Sequence, residues 1–187
     1  PTDPASAPTV AAAPATTANA TDPAPASAEP ESPRCEALPD WRYEQIALPP
    51  GFAPELPAGV EVLWFAPGMF QPDASDYFTY AFSLDLEAGL PEAGELESLL
   101  TQYYRGLMKA VASDHPPKHE AQVSLAADGQ SATIEMSDEF TGGGDVTLHL
   151  RMSTTGSCLR VLATAQPTDD NWATLARSFE CLCASAP

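Results

Sequence analysis

Residues 77–86 read YFTYAFSLDL, an unbroken period of two over ten positions. Phe78, Tyr80, Phe82, Leu84 and Leu86 fall on one side, and Tyr77, Thr79, Ala81, Ser83 and Asp85 on the other. A strand turns successive side chains to opposite faces, so the pattern predicts a half-buried strand over 77–86 whose large apolar side is committed to a core. Such a face needs a covering layer, and the chain supplies one directly downstream. Leu96, Leu99, Leu100, Tyr103, Leu107 and Val111 recur at three- and four-residue spacing, an amphipathic helix over about 96–111 widened by Tyr104 and Met108. Glu92, Glu95 and Glu97 lie near its start, where the helix dipole favours negative charge, and Pro116 and Pro117 lie beyond its end. Gly106 is costly in a helix interior and is expected to permit close approach to the sheet or to a crossing strap.

Working outward, GVEVLWF at 59–65 reads as a short strand. The loop after it carries Met69 and Phe70, expected to cap the open end of the core or to form a partner-binding tip. Four strands follow the helix: a short one over 122–126, then three marked by Ala132, Ile134 and Met136, by Val146, Leu148, Leu150 and Met152, and by Leu159, Val161, Ala163 and Ala165. Turn text at 127–130 and 154–157 joins them as hairpins. A closing helix over about 170–183 sets Trp172, Leu175, Phe179 and Leu182 on one stripe. The fold class is therefore α+β, an antiparallel sheet of about six strands in the order hairpin, helix, four-stranded meander, helix, with two packed helices. Residues 35–58 are expected to be an irregular strap. Five prolines in 35–57 forbid a long helix there, while Trp41, Tyr43, Ile46, Leu48 and Phe52 are too apolar to stand in solvent.

Composition breaks near Cys35. Residues 1–34 hold 11 Ala, 8 Pro, 5 Thr and 3 Ser and no aromatic, too little apolar surface to offset ordering entropy, so they read as a disordered linker ahead of a single domain over 35–187. The chain carries 26 acidic and 8 basic residues, a formal charge of −18, which repels phosphate backbones and excludes nucleic acid as the expected partner. No apolar run reaches transmembrane length. Four cysteines in the domain fit disulfides in an oxidising compartment. An Ala/Pro/Thr tail of this kind suggests a mature exported chain, periplasmic, surface-tethered or secreted. It is similar to the tails that follow the lipidated cysteine of bacterial surface lipoproteins, although residues 1–34 contain no cysteine.

A short loop between the last strand and last helix brings the end of the helix back over the start of the strand. Cys158 lies at that start, and Cys181 and Cys183 at that end. Helical neighbours two residues apart point away from each other, so each needs a distant partner. Angular position favours Cys158–Cys183, with Cys35–Cys181 stapling the strap; the swapped pairing satisfies the same geometry nearly as well. Four thiolates in this spacing lack the paired knuckles of a zinc site. His115 and His119 have helical metal-pair spacing, but Pro116 and Pro117 between them exclude the helix, leaving a solvated loop. Asp138, Glu139 and Asp145 flank a triple-glycine hairpin loop without the ordered spacing of a calcium loop. No metal or cofactor is expected, and no Ser or Cys sits beside a His in a hydrolase elbow.

One polar constellation stands out. If Thr155 and Gly156 form a two-residue turn, Arg151 lies opposite Arg160 on the face away from the inward leucines. The glycine loop then admits registers placing Glu135 opposite Arg151 or opposite His149. Glu135, His149, Arg151 and Arg160 thus share a polar sheet face. It reads as a compensated salt-bridge patch beneath the strap, or as a small-anion or carboxylate site built on two guanidinium forks.

The element order, with Trp172 early in the final helix and the pair Ser178-Phe179 late in it, resembles the PsbP-like fold of photosystem II extrinsic subunits and their bacterial lipoprotein relatives, over about 59–184. The resemblance implies a helix-covered antiparallel sheet with a role in binding or assembly, and brings no catalytic residues. The expected function is a non-enzymatic, tethered binding or assembly module of the cell envelope, a monomer with an envelope protein or small anion as partner.

Overall fold

The computed structural model describes residues 35–112, 116–142 and 144–183; the linker reading of residues 1–34 and the loop reading of His115 lie outside them. Seven strands form one antiparallel sheet: β1 (Arg42–Leu48), β2 (Gly59–Phe65), β3 (Tyr80–Leu86), β4 (Gln122–Leu125), β5 (Ser131–Ser137), β6 (Asp145–Thr155) and β7 (Cys158–Thr164). Their order across the sheet is β1-β2-β3-β7-β6-β5-β4. The chain climbs through a three-stranded meander to the centre. It then crosses to the far edge along helix α1 (Ala93–Ala112) and meanders back until β7 pairs with β3. Helix α2 (Asp169–Ala176) and a 3₁₀ turn over Arg177–Cys181 close the fold. Among the described residues no helix is long and apolar enough to cross a membrane.

The period of two in β3 feeds two cores rather than one. Tyr80, Phe82, Leu84 and Leu86 join Leu99, Leu100, Tyr103, Tyr104 and Met108 of α1, together with the inward residues of β5, β6 and β7. On the opposite face Ala81 meets Trp64, Leu162, Trp172 and Leu175 beneath α2. The sheet is therefore the middle layer of three. The expectation of a half-buried strand is corrected accordingly: β3 is buried on both faces, with small residues opposite large ones, because α2 covers Ala81 and the chain after it reaches Ser83 through the Cys183 N–H. The strand also starts later than its pattern. Phe78 takes a left-handed backbone at φ 48°, and its N–H donates to the Met69 carbonyl at 3.1 Å, so residues 77–79 belong to the preceding loop.

The sheet has seven strands, not about six, because part of the presumed strap is β1. Its prolines all lie outside 42–48, and RYEQIAL pairs in full with β2, from Arg42 opposite Phe65 to Leu48 opposite Gly59. The true strap is 49–58, which crosses α1 at Gly106. A methyl group built there would stand 2.2 Å from the Phe52 carbonyl oxygen, so only glycine fits under this crossing. The closing helix is likewise shorter than 170–183. It turns 3₁₀ at Arg177 after a start capped by Thr168, whose hydroxyl accepts from the Asn171 N–H at 3.2 Å.

Two disulfides tie the α2 layer: Cys35–Cys181 and Cys158–Cys183, with Cα separations of 5.8 and 5.9 Å. Among the described residues no cysteine is free, a pattern that belongs to an oxidising environment outside the cytoplasm.

Candidate functional site

The polar face of β5, β6 and β7 keeps its predicted parity but not its predicted pairs. The β6–β7 turn is Gly156-Ser157, with Gly156 at φ 58°, the conformation glycine supplies at the first central position of a tight hairpin. Every pair therefore shifts by two residues: Arg151 faces Leu162, and Arg160 faces Ser153 and Ser83. Across β5, Thr133 faces His149, and Glu135 faces Thr147 rather than His149 or Arg151. That register follows from the longer loop, closed by the Asp138 N–H to the Gly144 carbonyl at 2.9 Å. Glu135 is exposed, and among the described residues it makes no ion pair with His149, Arg151 or Arg160.

Both guanidinium groups are engaged by the final helix. Arg151 lies 4.1 Å above the Trp172 ring, and Arg160 5.7 Å from the centre of Phe179. Arg160 also donates to Thr155 Oγ1 at 2.6 Å and to the Cys183 sulfur at 3.3 Å. The cover over this part of the face is thus the C-terminal helix and not the strap, and the geometry favours packing over anion capture there.

The acidic loop is committed locally. The Asp138 carboxylate accepts from the backbone N–H groups of Phe140 and Thr141, each at 3.0 Å, and from the hydroxyls of Tyr77 and Thr141. Burial works to raise its pKa, but these hydrogen bonds outweigh it and hold the carboxyl below its usual range. Burial, reinforced by that carboxylate, pushes the Tyr77 phenol up to about 12. Asp145 pairs at 3.5 Å with the exposed His119. Among the described residues no three His, Cys, Asp or Glu side chains converge as metal ligands would.

The feature that composition did not announce is a chamber of about 210 Å³ between α1 and the β1-β2-β3 half of the sheet. Ile46, Leu63, Phe65 and Tyr80 form its floor, and Tyr103, Tyr104, Leu107 and Met108 of α1 its roof. Phe52 of the strap closes one side. Met69, Phe70 and Phe78 of the β2–β3 loop, with Met136 and Phe140, close the others. The rings of the wall pack against one another. Phe70 and Phe140 stand 5.6 Å apart and Phe78 and Phe140 5.8 Å apart, edge to face in the second pair. The β2–β3 loop is pinned from several sides. The Gly68 N–H donates to Asp76 at 2.9 Å, the Asn171 side chain donates to the Ser75 carbonyl at 2.8 Å, and the Tyr77 hydroxyl donates to Asp138. Of its two readings, the loop caps the end of the core: Met69 is buried, and only Phe70 stays partly open.

Polar atoms are scarce inside. The Tyr80 and Tyr104 hydroxyls bond each other at 2.7 Å, and the Tyr103 hydroxyl donates to Glu61 Oε1 at 2.6 Å. Glu61 lies in β2 between Ile46 and Leu84, wholly buried, and its Oε2 has no hydrogen-bond partner. Burial pushes its pKa up to about 7; the Tyr103 hydrogen bond opposes that rise and the nearby Glu44 adds to it. A carboxyl in this position carries its proton well above the usual carboxylate range.

The rim holds the chamber's charge. Arg42 stacks 4.7 Å from the Phe65 ring centre and 5.4 Å from that of Phe70, and Glu44 follows it on the same face of β1. Neither residue was singled out in the sequence, because both were hidden in the Pro-rich stretch. The alternation Arg42, Glu44, Ile46, Leu48 was the available signal, as was Glu61 set between Val60 and Val62. No protein-family model, curated protein or solved structure matches the chain.

Proposed function

We propose that this chain is a non-enzymatic binding module of an extracytoplasmic compartment, periplasmic, surface-tethered or secreted, with residues 1–34 as its tether, and that it holds a small apolar molecule in the chamber under α1. The observation that carries this reading is the chamber itself, a mostly apolar space lined by aromatic, leucine and methionine side chains with charge confined to its rim. An apolar cavity of about 150 Å³ is known to stay dry and to accept a benzene ring. A space of about 210 Å³ admits a ligand somewhat larger, on the scale of one substituted or fused ring. Aromatic and methionine side chains supply polarizable, adaptable contact surface for it. The PsbP-like element order, the two disulfides and the acidic surface are in keeping with a binding role outside the cytoplasm.

The test is a titration of the full chain with toluene, indole and naphthalene, followed by thermal unfolding. At a hundred times its dissociation constant a ligand that binds only the folded state adds about 2.7 kcal/mol, a rise of roughly 5–10 °C for a domain of this size. Leu107→Trp, placed at the chamber wall, should abolish the rise while leaving a cooperative transition. Failure of every apolar probe to raise the midpoint at its solubility limit would overturn the reading.

A further inference from the structure

We infer that the molecule held in the chamber carries both a carboxylate and an ammonium, as an apolar amino acid does, with Arg42 receiving the first and Glu44 the second. This rests on the chamber being the binding site. Its interior offers no charge: the three tyrosine hydroxyls that face it each have a hydrogen-bond partner, and Arg42 and Glu44 are the charged residues of its lining. Polar recognition must then occur at the rim, at these two side chains. They stand at alternate positions of β1, so their Cα atoms are about 7 Å apart and their side chains leave the same face. Neither side chain makes a hydrogen bond or ion pair with another described residue. The Arg42 guanidinium is nevertheless held in place by the faces of Phe65 and Phe70, which leaves its N–H edge free to donate.

The charges on the rim oppose each other in sign, and this decides the ligand class. A simple carboxylate would gain Arg42 and meet repulsion from Glu44, and a simple amine the reverse. A zwitterion with both groups on one carbon satisfies both charges while its apolar side chain enters the chamber. The volume selects a phenyl or indole side chain over a longer one.

The experiment is calorimetric titration of the full chain with L-phenylalanine, 3-phenylpropanoate, phenethylamine and toluene. Phenylalanine is expected to bind about tenfold tighter than either singly charged compound, the scale of one charge-assisted contact. Arg42→Gln should reduce it to the level of phenethylamine and Glu44→Gln to that of 3-phenylpropanoate, with far-UV circular dichroism unchanged because both side chains are exposed. Toluene binding as well as or better than phenylalanine, or either substitution leaving phenylalanine binding unchanged, would overturn this inference and leave the apolar site standing. No binding by any of the four compounds would overturn the inference and remove the reading on which it rests.

Discussion

Glu61 shows what one residue costs when its strand sits between two layers. The unfolded chain ionises this carboxyl near 4.5, whereas the fold keeps it protonated to about 7. Between those values the native state binds the proton more tightly than the unfolded state, so the contribution of Glu61 to stability is fully present below pH 4.5 and declines as pH rises to about 7. The decline amounts to about 3 kcal/mol if the shift is fully expressed. Urea midpoints at pH 5 and pH 7.5 should show it. Glu61→Gln, which keeps an acceptor for Tyr103, should remove most of the difference; a pH profile unchanged by that substitution would contradict the assignment. Glu44 faces the same region from β1, so the profile is best read with Glu44→Gln as a control. Sequence showed an acid among valines but not its burial, since Val60-Glu61-Val62 is equally compatible with either face pointing outward. Arg151 and Arg160 illustrate the complementary limit. Alternation fixed the face they share, but a choice between two adjacent turn positions moved each partner by two residues, and only the rings of Trp172 in α2 and Phe179 in the 3₁₀ turn explain where the guanidinium groups rest.

Among the elements, α1 was legible almost to its ends because its stripe is long and regular, and the Gly106 expectation named its cause. The edge strand β1 was not legible, because counting prolines over 35–57 averaged a clean seven-residue strand with its Pro-rich flanks. The chamber could not be read at all: it lies between four elements whose sequence patterns each describe only their own faces. Gly106→Ala tests the contact that sets this spacing. Alanine is favoured over glycine in a helix by about 1 kcal/mol, yet the added methyl would meet a backbone carbonyl and force the strap away, a net loss of about 1–3 kcal/mol. Gly94→Ala, with nothing near the new methyl, should leave stability equal or slightly higher. Urea midpoints of both variants at constant m decide between these outcomes; a stabilised Gly106→Ala would mean that the strap does not press on α1.

For the molecule as a whole, the two layers are secured by different means. The α1 layer is held by packing and by side-chain hydrogen bonds such as Tyr103 to Glu61 and Arg105 to the Ala121 carbonyl, with no covalent tie. The α2 layer is bolted through Cys158–Cys183 and Cys35–Cys181, of which the latter spans 146 residues of sequence. Closing so long a loop restricts the unfolded ensemble by about 5 kcal/mol in the chain-entropy picture, so Cys35→Ala with Cys181→Ala should lower the thermal midpoint about as much as the costliest single core truncation. The same bridge joins the first described residue of the domain to one near its last, which makes it a mechanical short circuit. Tension applied through residue 34 and residue 184 runs from backbone to sulfur to backbone and bypasses the sheet. A domain pulled from these ends should therefore refuse to lengthen until a reductant cuts both Cys35–Cys181 and Cys158–Cys183, and then release roughly 500 Å of chain; extension of that size in the oxidised protein would show that the load reaches the strands after all.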